Sequence, residues 1–288
     1  MRTLLAILAI PILVAGCTGG SSSGNPSGST GPTAASRYAV GTGPESLILR
    51  VSTEGGLIAP GYLLTAIPEF ALYGDGRAIV PGPVDAMYPG PLLPNLRQLQ
   101  LAPAEIQRLL AAADADGLLG ADASYAQANV MDAGTTTFTT TVDGKTHTVS
   151  ANALMASAVA VDAPDAAARA KLLDFQGKIQ DLSGFLGRTV GDGDAYRPLE
   201  MRVFVGPEPG ADPASPSLQA VTWPLAGDPA TAGKPTGIQG QSCILVSGTD
   251  LTRFLAVATS ATSTSVWTAP SGRFGVSVRP LYPNETGC

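Results

Sequence analysis

Residues 135–150 read TTTFTTTVDGKTHTVS, and this stretch predicts a β-hairpin near the centre of the chain. Threonine, valine and phenylalanine favour strands, and an Asp-Gly pair between two such runs is the strongest short hairpin signal. The strands should be residues 135–142 and 145–150, joined by Asp143 and Gly144. The order of hairpins and helices on either side of this stretch then indicates the fold class.

The segment before this hairpin predicts a strand, another hairpin and a helix. Residues 46–53 are β-rich and apolar, and residues 70–80 contain two β-rich runs around a Gly-Asp-Gly turn. A proline-rich, irregular loop follows at 81–94. A helix should run from Pro103 to Gly117, because apolar residues recur there at helical spacing. Its inward residues are Ile106, Leu109, Leu110 and Ala113.

The segment after the central hairpin predicts a longer helix and a third block of strands. A single helix should span 164–186, since its apolar residues are spaced three and four apart. These residues are Leu172, Phe175, Ile179, Leu182 and Leu186. Residues 247–250 offer a helix cap, and the helix that follows should run to about residue 260. Strands are predicted at 199–205, 219–223, 243–246 (short and buried), 266–268 and 273–279.

Strands followed by a helix thus occur three times along the chain. This order predicts an α+β fold of antiparallel hairpins with packed helices. The blocks share no residue-level identity, which leaves open whether β-β-α repeats are present. A Gly-Asp-Gly-Asp run at 191–194 favours a division into an α+β domain at 37–190 and a second α+β subdomain at 191–288.

The first residues of the chain resemble a bacterial lipoprotein leader. Arg2 precedes an apolar run at 4–14, whose eleven residues rise about 16 Å as a helix against a hydrocarbon core of about 30 Å. That length suits a signal peptide at 1–16 rather than a membrane span. Small residues directly precede Cys17, as in a lipobox, although an ordinary signal peptide containing a cysteine is the alternative. We therefore expect a diacylglyceryl anchor on Cys17 and a flexible Gly/Ser tether through residues 17–36.

The two remaining cysteines, Cys243 and Cys288, predict a disulfide bond. An exported chain reaches an oxidising compartment, where an even number of cysteines favours pairing. The bond would hold the last residue against the folded body. Two unpaired thiols are the alternative, and nothing near either residue would make it a reactive nucleophile.

Charge and composition exclude some partners of the body. The chain carries a net charge of −6, without a basic run, so it would repel phosphate backbones and anionic headgroups. Nucleic acid is therefore not an expected partner.

Hydrophobic residues make up 44% of the chain, enough to build a substantial core.

No catalytic, cofactor or metal motif emerges from the residues. His147 is the only histidine, and the chain contains no Gly-x-Ser-x-Gly elbow, so a Ser-His-Asp site is not indicated. A glycine-rich nucleotide motif is also absent. Asp114, Asp116, Gly117 and Asp122 hint at a calcium loop but fail the EF-hand pattern, and Asp192 and Asp194 form a similar fragment.

Two other groups of residues leave alternatives open. Glutamates are few, and no pair is marked by its context as the two carboxyl groups of a glycoside hydrolase. Aromatic residues are candidates for a glycan or peptide groove, although core or loop positions are the commoner use. They are Trp223, Trp267, Tyr88 and Tyr196.

Residues 69–77 (EFALYGDGR), with the proline-rich loop and the helix from Pro103, resemble a recurrent segment of actinobacterial lipoproteins and secreted proteins of unknown function. Residues 279–288 (RPLYPNETGC) are similar to the end of such proteins. The resemblance covers about half of the body. It implies an exported, lipid-anchored protein and assigns no site residues.

These observations lead to one expected function and two alternatives. We expect a membrane-anchored envelope lipoprotein on the outer face of the cell membrane, attached to lipid through Cys17. Its body should act as a non-enzymatic module that binds an envelope protein or ligand, with no cofactor. The first alternative is an envelope hydrolase, which needs a pocket with two carboxylates of displaced pKa. The second is an inhibitor of secreted peptidases that presents the loop at 81–94.

Overall fold

The computed structural model describes residues 37–127, 130–155, 164–210 and 219–288. They belong to one compact unit, and the predicted leader, Cys17 and tether lie outside the described residues. Two mixed, mostly antiparallel sheets and the helices packed on them confirm the α+β class.

The first sheet contains the central hairpin, and its eight strands come mainly from the first half of the chain. They are β1 (Leu47–Gly55), β2 (Phe70–Tyr73), β3 (Arg77–Pro81), β4 (Leu96–Gln100), β5 (Ala123–Tyr125), β6 (Gly134–Val142), β7 (Lys145–Asn152) and β8 (Asp194–Ala195). Their order across the sheet is β5-β7-β6-β1-β2-β3-β4-β8.

The second sheet contains six strands from the remaining part of the chain. They are β9 (Glu200–Gly206), β10 (Ala220–Thr222), β11 (Lys234–Pro235), β12 (Ser242–Ser247), β13 (Val266–Ala269) and β14 (Gly272–Pro280). Their order is β10-β13-β14-β9-β12-β11, so β14 and β9 form its centre.

Six helices lie among the described residues. They are α1 (Pro60–Thr65), α2 (Pro103–Ala115), α3 (Ala166–Gln180), α4 (Leu182–Leu186), α5 (Pro229–Ala232) and α6 (Gly248–Ala258). The elements that sequence reasoning missed are short or lack clear periodicity: α1, α5, β4, β5, β8 and β11.

The predicted hairpin of β6 and β7 forms with Asp143 and Gly144 as its turn. Both residues have positive φ, at 52° and 73°, as a tight two-residue turn of this kind requires. Phe138 points into the core and meets Phe175 of α3 edge-on at 6.1 Å. The sequence therefore specified both the turn and the inward face of this hairpin.

The single helix predicted at 164–186 is wrong, because the chain breaks at Asp181. This residue leaves helical geometry, with φ −117° and ψ 67°. Its side chain accepts a hydrogen bond from the Gly184 amide at 2.9 Å and so caps α4. The apolar spacing continues across the break, which explains why periodicity alone did not reveal it.

The predicted buried strand at 243–246 also needs correction. Burial in β12 is partial on both faces: Cys243 and Val246, which point to opposite faces, are buried, whereas Leu245, on the same face as Cys243, is 39% exposed. The strand is paired on both sides, yet only one of its faces packs against α6.

Each sheet packs helices against one face. The first core lies between the first sheet and α2, α3 and α4, and it contains Phe138 and Phe175. The second lies between the second sheet and α6, where Phe254 stacks on Trp267 with ring centres 5.4 Å apart. The described residues of these two cores lie between Tyr38 and Val278, within the compact unit of residues 36–288.

Two segments cross the division predicted at residue 190. β8 follows that position and pairs with β4 in the first sheet. Leu92, from the loop between β3 and β4, is buried in the second core, and its amide donates to the Ala261 carbonyl at 2.9 Å. The predicted boundary stays a prediction, since the described residues form one compact unit.

The first turn of α2 is held by Glu105. Its carboxylate accepts from the Ala102 amide at 2.8 Å and from the Arg188 guanidinium, with one of those bonds at 2.8 Å. The hydrogen bond from Arg188 lowers the pKa of Glu105 most, and the total effect brings it to about 2. Because folding lowers this pKa, the contacts of the Glu105 carboxylate stabilise the protein fully above the ordinary carboxyl pKa. This contribution to the free energy of unfolding is lost as the pH falls towards 2.

We expect Glu105→Gln to lower the free energy of unfolding by about 1 kcal/mol at pH 7, since a helix-end contact and an ion pair weaken together. The difference from wild type should shrink steadily between pH 4 and pH 2. Urea unfolding across this range is the measurement, with the exposed Glu45→Gln as the control. A deficit that stays constant with pH would contradict the assignment.

Candidate functional site

The segment that follows β14 contacts both sheets. The Tyr73 hydroxyl of the first sheet donates to the Asn284 side chain at 2.7 Å. The Leu281 amide donates to the Glu200 carbonyl of the second sheet at 3.0 Å. Tyr282 is buried against the face of the first sheet opposite α2 and α3. Residues 281–288 therefore join the sheets, and we call them the C-terminal segment.

Glu285 of the C-terminal segment binds two arginines from different sheets. Arg279 of β14 binds its carboxylate with two hydrogen bonds, both 2.7 Å. Arg50 of β1 adds a third at 3.1 Å. The Tyr282 amide donates to the same carboxylate at 3.0 Å. One carboxylate thus links β1, β14 and the C-terminal segment.

Burial and ion pairing have opposite effects on this group. Burial alone would raise the pKa of Glu285, but the hydrogen bonds and charge of Arg279, with smaller contributions from the Tyr282 amide and Arg50, outweigh it. The pKa of Glu285 is therefore lowered, and the side chain is a carboxylate at neutral pH. Its role is to neutralise arginine rather than to donate a proton.

A cleft of about 530 Å³ opens beside this carboxylate, between the two sheets. Its charged lining is mainly cationic, which is unusual in a chain of net charge −6. The charged residues are Arg50, Arg202, Arg279 and Lys234, against Glu54 and Glu285. We call this space the basic cleft.

Arg202 and Arg279 face each other directly across β9 and β14. Like charges at opposite positions of an antiparallel pair are destabilising. Burial lowers the pKa of Arg202 most, and the nearby charge of Arg279 lowers it further. The sheet therefore maintains an electrostatically unfavourable pair on the face that lines the basic cleft.

Many guanidinium donors in the basic cleft have no partner among the described residues. A guanidinium has five N–H donors. Arg50 donates to Glu285 alone, and Arg202 donates to the Gly287 and Thr286 carbonyls at 2.7 and 3.2 Å. No described residue accepts a hydrogen bond from the remaining donors of these two side chains, and paired guanidinium donors suit the oxygens of an anion.

The predicted disulfide lies at the edge of the basic cleft. The structure joins Cys243 of β12 to Cys288, with Cα atoms 5.9 Å apart. Both residues line the cleft. The bond therefore fastens the C-terminal segment to the second sheet a few residues beyond Glu285.

The other residues that the sequence singled out do not converge. His147 lies in β7 opposite Thr140. Asp114 accepts from Arg37 and Tyr38, Asp116 pairs with Lys178, and the Asp122 side chain accepts from the Thr148 amide. Among the described residues, no group of three His, Cys, Asp or Glu side chains is placed to hold a metal ion. Asp194 begins β8, Asp192 precedes it, and both side chains are exposed.

The four aromatic candidates do not form a groove either. Trp223 and Trp267 belong to the second core, where they meet Phe254. Tyr196 stacks on Tyr282, and its hydroxyl donates to the Leu281 carbonyl. Tyr88 is exposed in the loop between β3 and β4.

That loop has fixed ends and an exposed tip. The Asn95 side chain donates to the Pro83 carbonyl at 2.7 Å, and the Ser263 amide donates to the Gly90 carbonyl at 2.9 Å. Residues 83–88 between these contacts are exposed. The peptidase-inhibitor alternative called for an exposed loop here, and it stays a prediction.

The hydrolase alternative called for two carboxylates of displaced pKa in one pocket. In the described part of the chain, the carboxylates with displaced pKa are Glu105 and Glu285, and both pKa values are lowered. Glu105 is bound to Arg188 at the start of α2, whereas Glu285 lies in the basic cleft. Neither environment favours a general acid at neutral pH.

Sequence reasoning overlooked the arginines of the basic cleft, although a signal was present. Arg50, Arg202 and Arg279 each lie within a β-rich run, between two apolar neighbours. A charged residue at an interior strand position is rarely buried without a partner. Three such positions in one chain would have indicated a polar interior between sheets.

The protein is therefore an α+β body of two sheets, with a basic cleft bordered by the disulfide-bonded C-terminal segment. Comparison with known protein families, curated proteins and solved structures finds no match to this chain. No helix among the described residues is long and apolar enough to cross a membrane.

Proposed function

We propose that this protein is a lipid-anchored lipoprotein on the outer face of the cell membrane, whose body binds an anionic ligand without chemical conversion. The observation that carries the proposal is the basic cleft, where four cations face two carboxylates. A cleft of this size is typical of small-molecule sites. Guanidinium groups suit carboxylate or phosphate oxygens, because they present paired donors.

The C-terminal segment supports a binding role for the basic cleft. Glu285 holds Arg50 and Arg279 in fixed positions, and the disulfide fixes the segment that carries Glu285. Arginines held in this way lose little conformational freedom when a ligand binds, which favours affinity. Positive charge inside an acidic body also attracts anions selectively to the cleft.

A thermal-unfolding series on residues 36–288 tests the anion site. Acetate, inorganic phosphate and decanoate are added separately at constant ionic strength. An anion at about 100 times its Kd adds about 2.7 kcal/mol, which should raise the unfolding midpoint by about 5–10 °C. Arg202→Gln should remove most of this shift. Arg253→Gln, at an exposed arginine of α6, is the control and should retain it. The absence of a shift with every anion would overturn the anion-binding proposal.

The anchor is supported by the residues before Cys17 and is tested separately in cells. We expect Cys17→Ala to move most of the protein from the membrane fraction to the soluble exported fraction, because two acyl chains provide the stable attachment. Fractionation and immunoblotting are the measurement, with Thr18→Ala as the neighbouring control. Membrane retention equal to that of wild type would contradict lipidation at Cys17.

A further inference from the structure

Helix α1 forms an apolar wall beside the basic cleft. It follows β1, consists of six residues, and has no buried side chain. Leu63 and Leu64 line the cleft, and Leu63 is 43% exposed. Tyr62, next to them, is 70% exposed. The short helix therefore presents apolar surface that the described residues do not cover.

Exposed apolar residues also precede the helix in the chain. Leu57 and Ile58 connect β1 to α1, and both side chains are exposed. The Ala66 carbonyl at the other end of α1 accepts a hydrogen bond from Arg279 at 2.8 Å. Apolar surface and guanidinium groups are thus joined within one site. Exposed apolar surface beside a concave site commonly marks the place where a ligand lies.

We propose that the basic cleft binds a single-chain amphiphilic anion, with its carboxylate or phosphate head on Arg50 and Arg202 and its alkyl chain along α1. This inference rests on the proposed anion-binding function and names its ligand class. The two halves of the site fit the two halves of such a molecule. A purely polar anion would leave the surface of Leu63 uncovered, and an uncharged chain would leave the arginine donors without partners.

The size of the site fits one chain rather than two. Six helical residues extend about 9 Å, which limits the apolar wall to a short part of an alkyl chain. The cleft volume of about 530 Å³ must also hold the head group. Each methylene that leaves water on this wall should strengthen binding about fourfold.

Isothermal titration of residues 36–288 with decanoate, decyl phosphate, acetate and 1-decanol, each below its aggregation concentration, tests the inference. We expect decanoate or decyl phosphate to bind about 100-fold more tightly than acetate, and 1-decanol to bind at least tenfold more weakly than the preferred anion. Arg202→Gln should lower the affinity for both the long-chain anion and acetate. The preferred head group distinguishes a fatty acid from a phospholipid-like source.

A matched pair of leucine variants isolates the apolar wall. Leu63→Ser should lower the affinity for decanoate at least tenfold and leave the affinity for acetate unchanged, because only the alkyl chain of the ligand would contact α1. Leu173 on α3 has similar exposure, 38%, but lies outside the basic cleft. Leu173→Ser should therefore change the affinity for neither ligand. Unfolding midpoints equal to wild type would show that both variants are folded.

The outcomes separate this inference from the proposed function. Equal affinity for acetate and decanoate, with both affinities lowered by Arg202→Gln, would overturn the amphiphile proposal and leave the anion-binding proposal intact. The amphiphile proposal would also be overturned if 1-decanol bound as tightly as the preferred anion. It would equally be overturned if Leu63→Ser did not change the affinity for the long-chain anion. If no anion binds, or Arg202→Gln changes nothing, both proposals fail.

Discussion

Glu285→Gln is expected to lower the free energy of unfolding at pH 7 by about 3–5 kcal/mol. Glu285 is the carboxylate that Arg50 and Arg279 share, and the Arg279 side chain is only 6% exposed. An amide in its place carries no charge and directs N–H groups towards guanidinium donors. Both arginines would then remain largely buried without their hydrogen-bonded counter-charge, which is the costly way to break such a network.

Guanidinium unfolding followed by tryptophan fluorescence measures this loss, since Trp223 and Trp267 both lie in the second core. Glu208→Gln is the matched control, because Glu208 pairs with Arg273 at the surface and is 39% exposed. The control should cost about 0–1 kcal/mol. Equal losses for the two variants would show that the network around Glu285 contributes no more than a surface ion pair.

The stability lost in Glu285→Gln should depend on pH. The pKa of Glu285 is lowered in the folded state, so its stabilising effect is complete above the ordinary carboxyl pKa of about 4.3. It is lost as the pH falls through the lowered value. Wild type and Glu285→Gln should therefore converge in acid and differ most at neutral pH.

Replacing Cys243 and Cys288 together with serine should lower the free energy of unfolding by about 4 kcal/mol. The two cysteines are 45 residues apart, and the chain-entropy model gives about this value for a closed loop of that length. The measurement is urea unfolding with and without reductant, in parallel with a thiol count. Wild type should lose the same stability on reduction, and the double variant should not respond.

The outcome that would contradict this prediction is two free thiols in the oxidised, folded protein. A second result connects the disulfide to Glu285, because both lie in the C-terminal segment. Without the disulfide the segment is held less firmly, so Glu285→Gln should cost less in the serine double variant than in wild type. We expect a coupling energy of about 1 kcal/mol in a double-mutant cycle, as for residues that share one structural element.

Local sequence patterns predicted most of the regular elements. The Asp-Gly turn specified the β6–β7 hairpin, because few residue pairs adopt two successive positive φ angles. Proline and Glu105 at one end and Gly117 at the other bounded α2 to within two residues. The break at Asp181 was missed, because apolar residues keep their helical spacing across it.

The cysteine pair was predicted from count and compartment rather than from distance. Two cysteines in an exported chain have one pairing available once Cys17 is assigned to lipid. The structure brings Cys243 and Cys288 together and so agrees with that pairing. The cysteine count did not indicate that the disulfide lies at the edge of a charged cleft.

The sequence by itself determined the fold class, the central hairpin, helices α2 and α6 and the cysteine pair, because these depend on neighbours in the chain or on residue type. The basic cleft was decided only by the tertiary structure. Arg50 and Glu285 are 235 residues apart, and they meet because the C-terminal segment, after leaving β14 of the second sheet, contacts β1 and β2 of the first. Strand alternation specifies that a side chain points to one face, but only sheet packing decides which partner lies opposite that face.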